Sequence, residues 1–261
     1  MYDRCRVARQ NRAESSTNPF RLGKTTPKKG ASMQGTDIYD VLKKIKVPHL
    51  HHANSVTTSC TFLEQGGLLS RQFVEQRKLN QTAQSSDADD KKFGIWDRIF
   101  VDQVDIHARA RKKKAPNEYG PVLFLLELDA LLQLPAGTDV LVTKDNPIYW
   151  EGKPDADRWF QSTEELGKGM TLGTFVQMIM IRTPSGKLDF PKGCSRIILD
   201  DPHRKLSSGE DAYAHAAERL RAAAEVGKIN AAIEHRECQA DCICPKTYAA
   251  WKTQDIDLYF G

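Results

Sequence analysis

Three cysteines fall within seven residues in the run His235-x2-Cys238-x3-Cys242-Ile-Cys244-Pro245, while only three others are spread over the rest of the 261-residue chain. Soft thiolates together with an imidazole suit a tetrahedral zinc ion. His235, Cys238, Cys242 and Cys244 are therefore expected either to hold a structural zinc or to be reduced surface or packing cysteines. Such a zinc would staple the C-terminal segment and take no part in catalysis. A second set of chemically capable groups is Asp102, Asp105 and Glu127, hard oxygen donors that suit magnesium in a nuclease. No lysine or histidine stands at a matching catalytic spacing, so this is the weaker reading. Arg109-Ala-Arg-Lys-Lys-Lys114, closed by Pro116, is a basic run that reads as a loop. Asp200-Asp201 before Pro202 reads as turn chemistry.

The elements that must position these groups follow from capping signals and periodicity. Thr36 is an N-cap candidate for a helix carrying Ile38, Val41, Leu42 and Ile45 at helical spacing. Val47–His52 reads as a strand and roughly Ser55–Gln65 as a helix stopped by Gly66-Gly67. Ser70 caps a helix expected through Leu79, and residues 80–92 read as a polar loop. Pro121–Leu128, Asp139–Thr143, Phe175–Arg182 and Arg196–Leu199 read as strands, Asp155–Leu166 as a helix, and Ser208 to about Ile233 as a long Ala-rich helix. Strands scattered between unequal helices, without a regular βαβ beat, predict an α+β fold.

Charge and composition narrow the classes further. The chain carries 38 basic against 34 acidic residues, a formal net charge of +4, with 28% charged residues. No run approaches the roughly 18 apolar residues of a membrane-spanning helix, and no apolar h-region follows Met1. The expected location is therefore the cytoplasm, with no membrane partner. Residues 1–30 hold eight basic and two acidic side chains, so the remainder is net −2. The basicity belongs to residues 1–35, which read as a disordered tail, with Met33 as an alternative start. Residues 36–205 then form the expected main domain and 206–261 a C-terminal helix with the Cys-rich segment.

The order of several short blocks resembles ADP-ribosyltransferase folds, most closely the DarT family of nucleic-acid-modifying toxins. The blocks are His51-His-Ala-Asn54, then Phe62-Leu-Glu-Gln-Gly-Gly-Leu-Leu-Ser70, with Gly66 fourteen residues after His52. Asp105-Ile-His-Ala-Arg109 stands at the place of the family's loop arginine. Glu118-Tyr119-Gly-Pro-Val-Leu-Phe124 is similar to its Asp-Tyr-Val-Pro-Phe-Tyr-Phe strand, and Asn146-Pro147-Ile-Tyr149 to its Ser-Pro-Met-Leu-Tyr. The likeness covers roughly residues 47–200 and implies split antiparallel β-sheets with flanking helices.

The resemblance implies cleavage of the nicotinamide–ribose bond of NAD and transfer of ADP-ribose to a nucleobase of DNA or RNA. Positive charge would spread over the sugar in an oxocarbenium-like transition state, as in glycoside hydrolysis. By the family pattern His52 and Asn54 hold ribose or nicotinamide, Arg109 grips the pyrophosphate and Tyr119 stacks near the nicotinamide. The family's catalytic glutamate falls on Gln177, in Thr174-Phe-Val-Gln177-Met-Ile-Met-Ile-Arg182. An amide can bond a hydroxyl but cannot neutralise a developing cation. Three explanations stay open: Glu164 or Glu165 serves instead, the chain is a non-catalytic relative, or Gln177 replaces a natural glutamate. The implied partners are single-stranded DNA or RNA and a cognate antitoxin, in a toxin–antitoxin or phage-defence module. A protein-directed transferase is the runner-up.

Overall fold

A computed structural model describes residues 32–107, 119–173, 177–190, 194–236, 238 and 242–261. The protein is α+β. A four-stranded sheet has the order β1-β4-β8-β9, built from β1 (His49–Asn54), β4 (Val122–Glu127), β8 (Cys194–Leu199) and β9 (Ala232–His235). A three-stranded sheet has the order β3-β6-β5, from β3 (Ile99–Val101), β5 (Asp139–Val142) and β6 (Ile179–Arg182). A small ribbon pairs β2 (Gly67–Leu69) with β7 (Lys187–Asp189). Among the described residues all strand pairings are antiparallel except β8 with β9. The two larger sheets meet at one bridge, where His51 and Asp102 exchange two backbone hydrogen bonds of 2.8 Å.

Local chemistry explains why the strands end where the cleft begins. β4 is a run of aliphatic and aromatic residues buried from Val122 to Leu126, as a strand flanked on both sides requires. Its neighbour β1 pairs His49 with Glu127 and Asn54 with Val122. β1 stops because Ser55 caps helix α2 (Val56–Glu64), its Oγ accepting the Thr58 N–H. α2 closes at Gly66, whose φ of +73° lies in the left-handed region. Ser70 caps α3 (Arg71–Gln76), accepting from the Phe73 N–H at 3.2 Å.

α2 packs on α7 (Ala212–Val226), whose small buried residues Ala216, Ala217 and Ala223 admit close approach. At the end of α7, a Cβ on Gly227 would lie 1.8 Å from the Leu63 carbonyl oxygen, so only glycine fits. The main core runs under both larger sheets and includes Leu50, Phe62, Phe124, Ile179, Ile197 and Leu220. The other α-helices among the described residues are α1 (Gly35–Lys44), α4 (Asp87–Lys92), α5 (Asp155–Arg158), α6 (Thr163–Gly169), α8 (Cys244–Ala250) and α9 (Thr253–Phe260). Among the described residues, no helix is long and apolar enough to cross a membrane.

Several boundaries differ from the sequence expectations. The Ala-rich helix stops at Val226, because Gly227 and the positive φ of Lys228 turn the chain into β9. The polar stretch 80–92 contains α4, and the expected helix over 155–166 is two short ones, α5 and α6. The helix expected through Leu79 ends at Gln76. β6 begins at Ile179, so Gln177 precedes the strand. Most of the expected basic tail lies outside the described residues, but Met33 is buried and bridges Val140 of β5.

Candidate functional site

A cleft opens where the two larger sheets meet. Counting its open mouth, it holds about 950 Å³ of empty space. His51, His52, Ala53 and Asn54 of β1 form one wall, with Phe62 of α2 and Tyr119 and Leu123 nearby. Arg71 of α3, Gln84, Asp89 and Asp90 of α4, Phe100, Asn146 and Met178 complete the lining.

His52 is held in one tautomer. Its Nδ1 lies 2.7 Å from the Phe100 carbonyl oxygen, which can only accept, so Nδ1 carries the proton. Nε2 keeps its lone pair and takes the Asn54 side-chain N–H at 3.3 Å. Burial pushes the His52 pKa down to about 4, and the Arg71 guanidinium adds to the shift. The ring is therefore neutral at physiological pH. Asn54 is buried; its Oδ1 accepts from the Ser55 N–H at 2.9 Å and from the Gln84 amide at 3.4 Å. One N–H of its amide remains for a ligand. Gly120 makes this corner tight, because a Cβ there would sit 2.3 Å from the Asn54 carbonyl carbon.

Arg71, which no sequence pattern had singled out, brings a guanidinium to this cleft, as does Arg98, whose charge is paired with Asp139. Arg71 donates to both Asp87 carboxylate oxygens, at 2.6 and 2.5 Å, and to the Thr82 carbonyl at 2.9 Å. Its Nε has no partner. Asp90 also lines the cleft, and burial raises its pKa to about 6, with Asp87 adding repulsion against the Ser86 hydrogen bond. A carboxyl that titrates near neutrality in a cleft is a functional signature. Neither residue carried a motif: Arg71 follows an ordinary N-cap serine, and Asp90 sits in a polar stretch.

The other expected site residues divide. Tyr119 lines the cleft with His52 and Asn54. Arg109 lies outside the described residues. Gln177 sits beside the cleft, but its neighbour Met178 lines it instead. The Gln177 amide is turned into the end of α6, donating to the Gly169 carbonyl at 2.9 Å and accepting the Thr171 N–H at 3.2 Å. Glu164 and Glu165 do not replace it, because they pair with Lys168 and Lys144 away from the cleft. The magnesium set is also dispersed: Asp105 pairs with Arg236, Glu127 faces His49, and Asp102 lines the cleft.

The cysteine cluster is real, but its histidine is not the expected one. His107, Cys238, Cys242 and Cys244 bring their ligand atoms within 4.8 Å of one another. From His107 Nε2 the sulfurs of Cys242, Cys244 and Cys238 lie 2.9, 3.3 and 3.7 Å away. His235 ends β9, where its Nε2 approaches Asp201 at 3.3 Å and its ring meets Tyr213 edge-on. Being a strand end paired with β8 aims it away from the sulfurs. With only three cysteines in the run and His235 turned aside, a fourth ligand had to come from elsewhere, and any of the other six histidines of the chain was eligible. No family model matches this chain, and no curated protein matches it.

Proposed function

We propose that the protein is an NAD-dependent ADP-ribosyltransferase acting on a nucleobase of single-stranded DNA or RNA, as the toxin of a toxin–antitoxin or phage-defence module. The observation that carries this reading is the meeting of His52, Asn54 and Tyr119 in one cleft at the junction of the two sheets. His52 Nε2 accepts one N–H of the Asn54 amide and so orients it, and the other N–H of that amide is offered to a ribose hydroxyl or to the nicotinamide. Arg71 supplies a guanidinium suited to the pyrophosphate, given that Asp87 yields part of its hold. The acceptor base has to be unpaired or flipped to reach the anomeric carbon, hence single strands. The nucleic-acid acceptor, the cognate antitoxin and a cytoplasmic setting rest on the sequence resemblance. The Cys3His cluster is read as a structural zinc site.

Gln177 limits this chemistry. An uncharged amide leaves the developing oxocarbenium without its counter-charge, and loss of one preorganised electrostatic group costs about 10²–10³ in rate. A second reading therefore has an observation in its favour. Both halves of the Gln177 amide are used by the α6 turn, as befits a native glutamine in a relative that binds NAD or a partner without transfer.

The test is calorimetric titration of NAD into the protein and its His52→Ala variant, followed by transfer of labelled ADP-ribose by the parent and Gln177→Glu. NAD binding that His52→Ala weakens, with label on single-stranded nucleic acid, supports the transferase. Binding without transfer by either form selects the inactive relative. Label on protein selects a protein-directed enzyme, and no NAD binding at all removes the reading.

A further inference from the structure

We infer that the Cys3His cluster binds one zinc ion whose occupancy sets a wall of the cleft, so that the metal positions the ligand site from outside it. The metal half of this inference stands alone; the NAD half rests on the function proposed above.

The donor set is the first argument. Cys244 Sγ lies 3.0 Å from Cys238 Sγ and 2.9 Å from Cys242 Sγ. These separations are well beyond the roughly 2.05 Å of a disulfide, yet crowded for three sulfurs with no bond between them. A cation among them relieves that crowding. Tetrahedral coordination with bonds of about 2.3 Å to sulfur and about 2.0 Å to nitrogen needs the cluster to open by less than an ångström. Three thiolates and an imidazole select zinc over magnesium or calcium. Four protein ligands close the coordination sphere, which makes the site structural.

The surroundings are arranged for it as well. Asp200, 2% exposed, sits 3.3 Å from His107 Nδ1. This contact places the proton on Nδ1 and leaves the Nε2 lone pair facing the sulfurs, the carboxylate–histidine arrangement of metal sites. Asp200 is fixed in turn by the Tyr248 hydroxyl at 2.6 Å and by Arg236.

Two routes lead from the cluster to the cleft. His107 directly follows Ile106, which lines the cleft and packs on Leu123 and Leu125 of β4. Arg236, which binds Asp200, also donates to Asp105 at 2.8 Å, and Asp105 accepts the His107 N–H at 2.8 Å. Asp105 thereby fixes the turn that carries Ile106 into the cleft wall. The ligand histidine thus anchors the segment that forms this wall.

The experiment measures metal content of the full chain purified under reducing conditions, then hydrogen exchange before and after a zinc chelator, and after zinc or magnesium is returned. About one zinc per chain is expected. Its removal should speed exchange about tenfold at residues 49–54, 104–107 and 119–125, leaving 139–142 and 179–182 protected, with zinc but not magnesium reversing the change. Asp200→Asn, which keeps all four ligands, should weaken zinc by about 10–100-fold. NAD affinity should fall with the metal. A chain without zinc, exchange changes confined to 236–250, or collapse of protection throughout the molecule would each overturn the inference. If NAD binds neither form while the cleft strands still respond to zinc, the staple stands and the NAD reading falls.

Discussion

Gln177→Glu separates a structural amide from a displaced catalytic position. The substitution is isosteric, so packing barely changes; hydrogen bonding changes sharply. The side chain is 7% exposed, and its Nε2 donates to the Gly169 carbonyl at 2.9 Å. A glutamate carboxylate brings an acceptor against that acceptor and leaves a buried carbonyl unpaired, at a cost of about 1–3 kcal/mol. The Thr171 N–H, now donating to a charged oxygen, offsets part of this. A protonated carboxyl restores the donor, so the folded state favours the neutral form and raises the pKa of the new group. A group raised on folding contributes its stability below its unfolded pKa and loses it as pH rises through the folded one. Urea unfolding should therefore show Gln177→Glu weaker than the parent by about 1–3 kcal/mol at pH 8, with a clearly smaller deficit near pH 5. Equal stability at pH 8, or a deficit that ignores pH, would refute the reasoning. It would mean that the side chain leaves the α6 turn for the cleft, as catalysis by a glutamate there demands.

Three other outcomes follow from the cleft. Nitrogen NMR of His52 should show a proton on Nδ1 and no titration above about pH 5, since its pKa is pushed down to about 4; titration near 6.5 would contradict the buried tautomer. Asp90, raised to about 6 by burial, favours the fold only while protonated. Asp90→Asn should match the parent near pH 4 and exceed its stability by up to about 3 kcal/mol at pH 8; a destabilised variant at pH 8 would oppose this. Gly120→Ala places a Cβ 2.3 Å from the Asn54 carbonyl carbon, at a φ of +126°. It should cost about 1–3 kcal/mol in a melting experiment and weaken NAD binding by displacing Asn54; a neutral effect on both would show that the corner has slack.

What could be read from the sequence was local. Ser70 as a cap, a helix starting near Ser55, Gly66 as a stop and a strand within 121–128 depend on a few neighbouring residues, and the structure places them where the pattern does. The cluster failed at its one long-range member. His235 lies three residues from Cys238 in sequence, yet pairing of β9 with β8 turns it away. His107 comes from more than a hundred residues upstream, and only the folded chain joins it to the thiols. The strand read over Phe175–Arg182 includes Gln177, but the ladder starts at Ile179 and the Gln177 amide follows the α6 turn. α4 did leave a trace, acids in its first turn and lysines in its last, favourable to the helix dipole, within a stretch whose polarity otherwise reads as loop.

The two glycines at 120 and 227 make the halves of the cleft mechanically unequal. Each occupies a spot where even a methyl group would collide with backbone, one at the end of β1 and one at the end of α2. The histidine-bearing side is thereby wedged between neighbours that cannot recede. Accommodation of ligands of different shape falls to the side of the six-residue acidic helix α4, which is tied by side-chain ion pairs, Asp87 to Arg71, Lys91 to Glu75 and Lys92 to Glu151. Selection for altered specificity in this scaffold should accumulate its changes there.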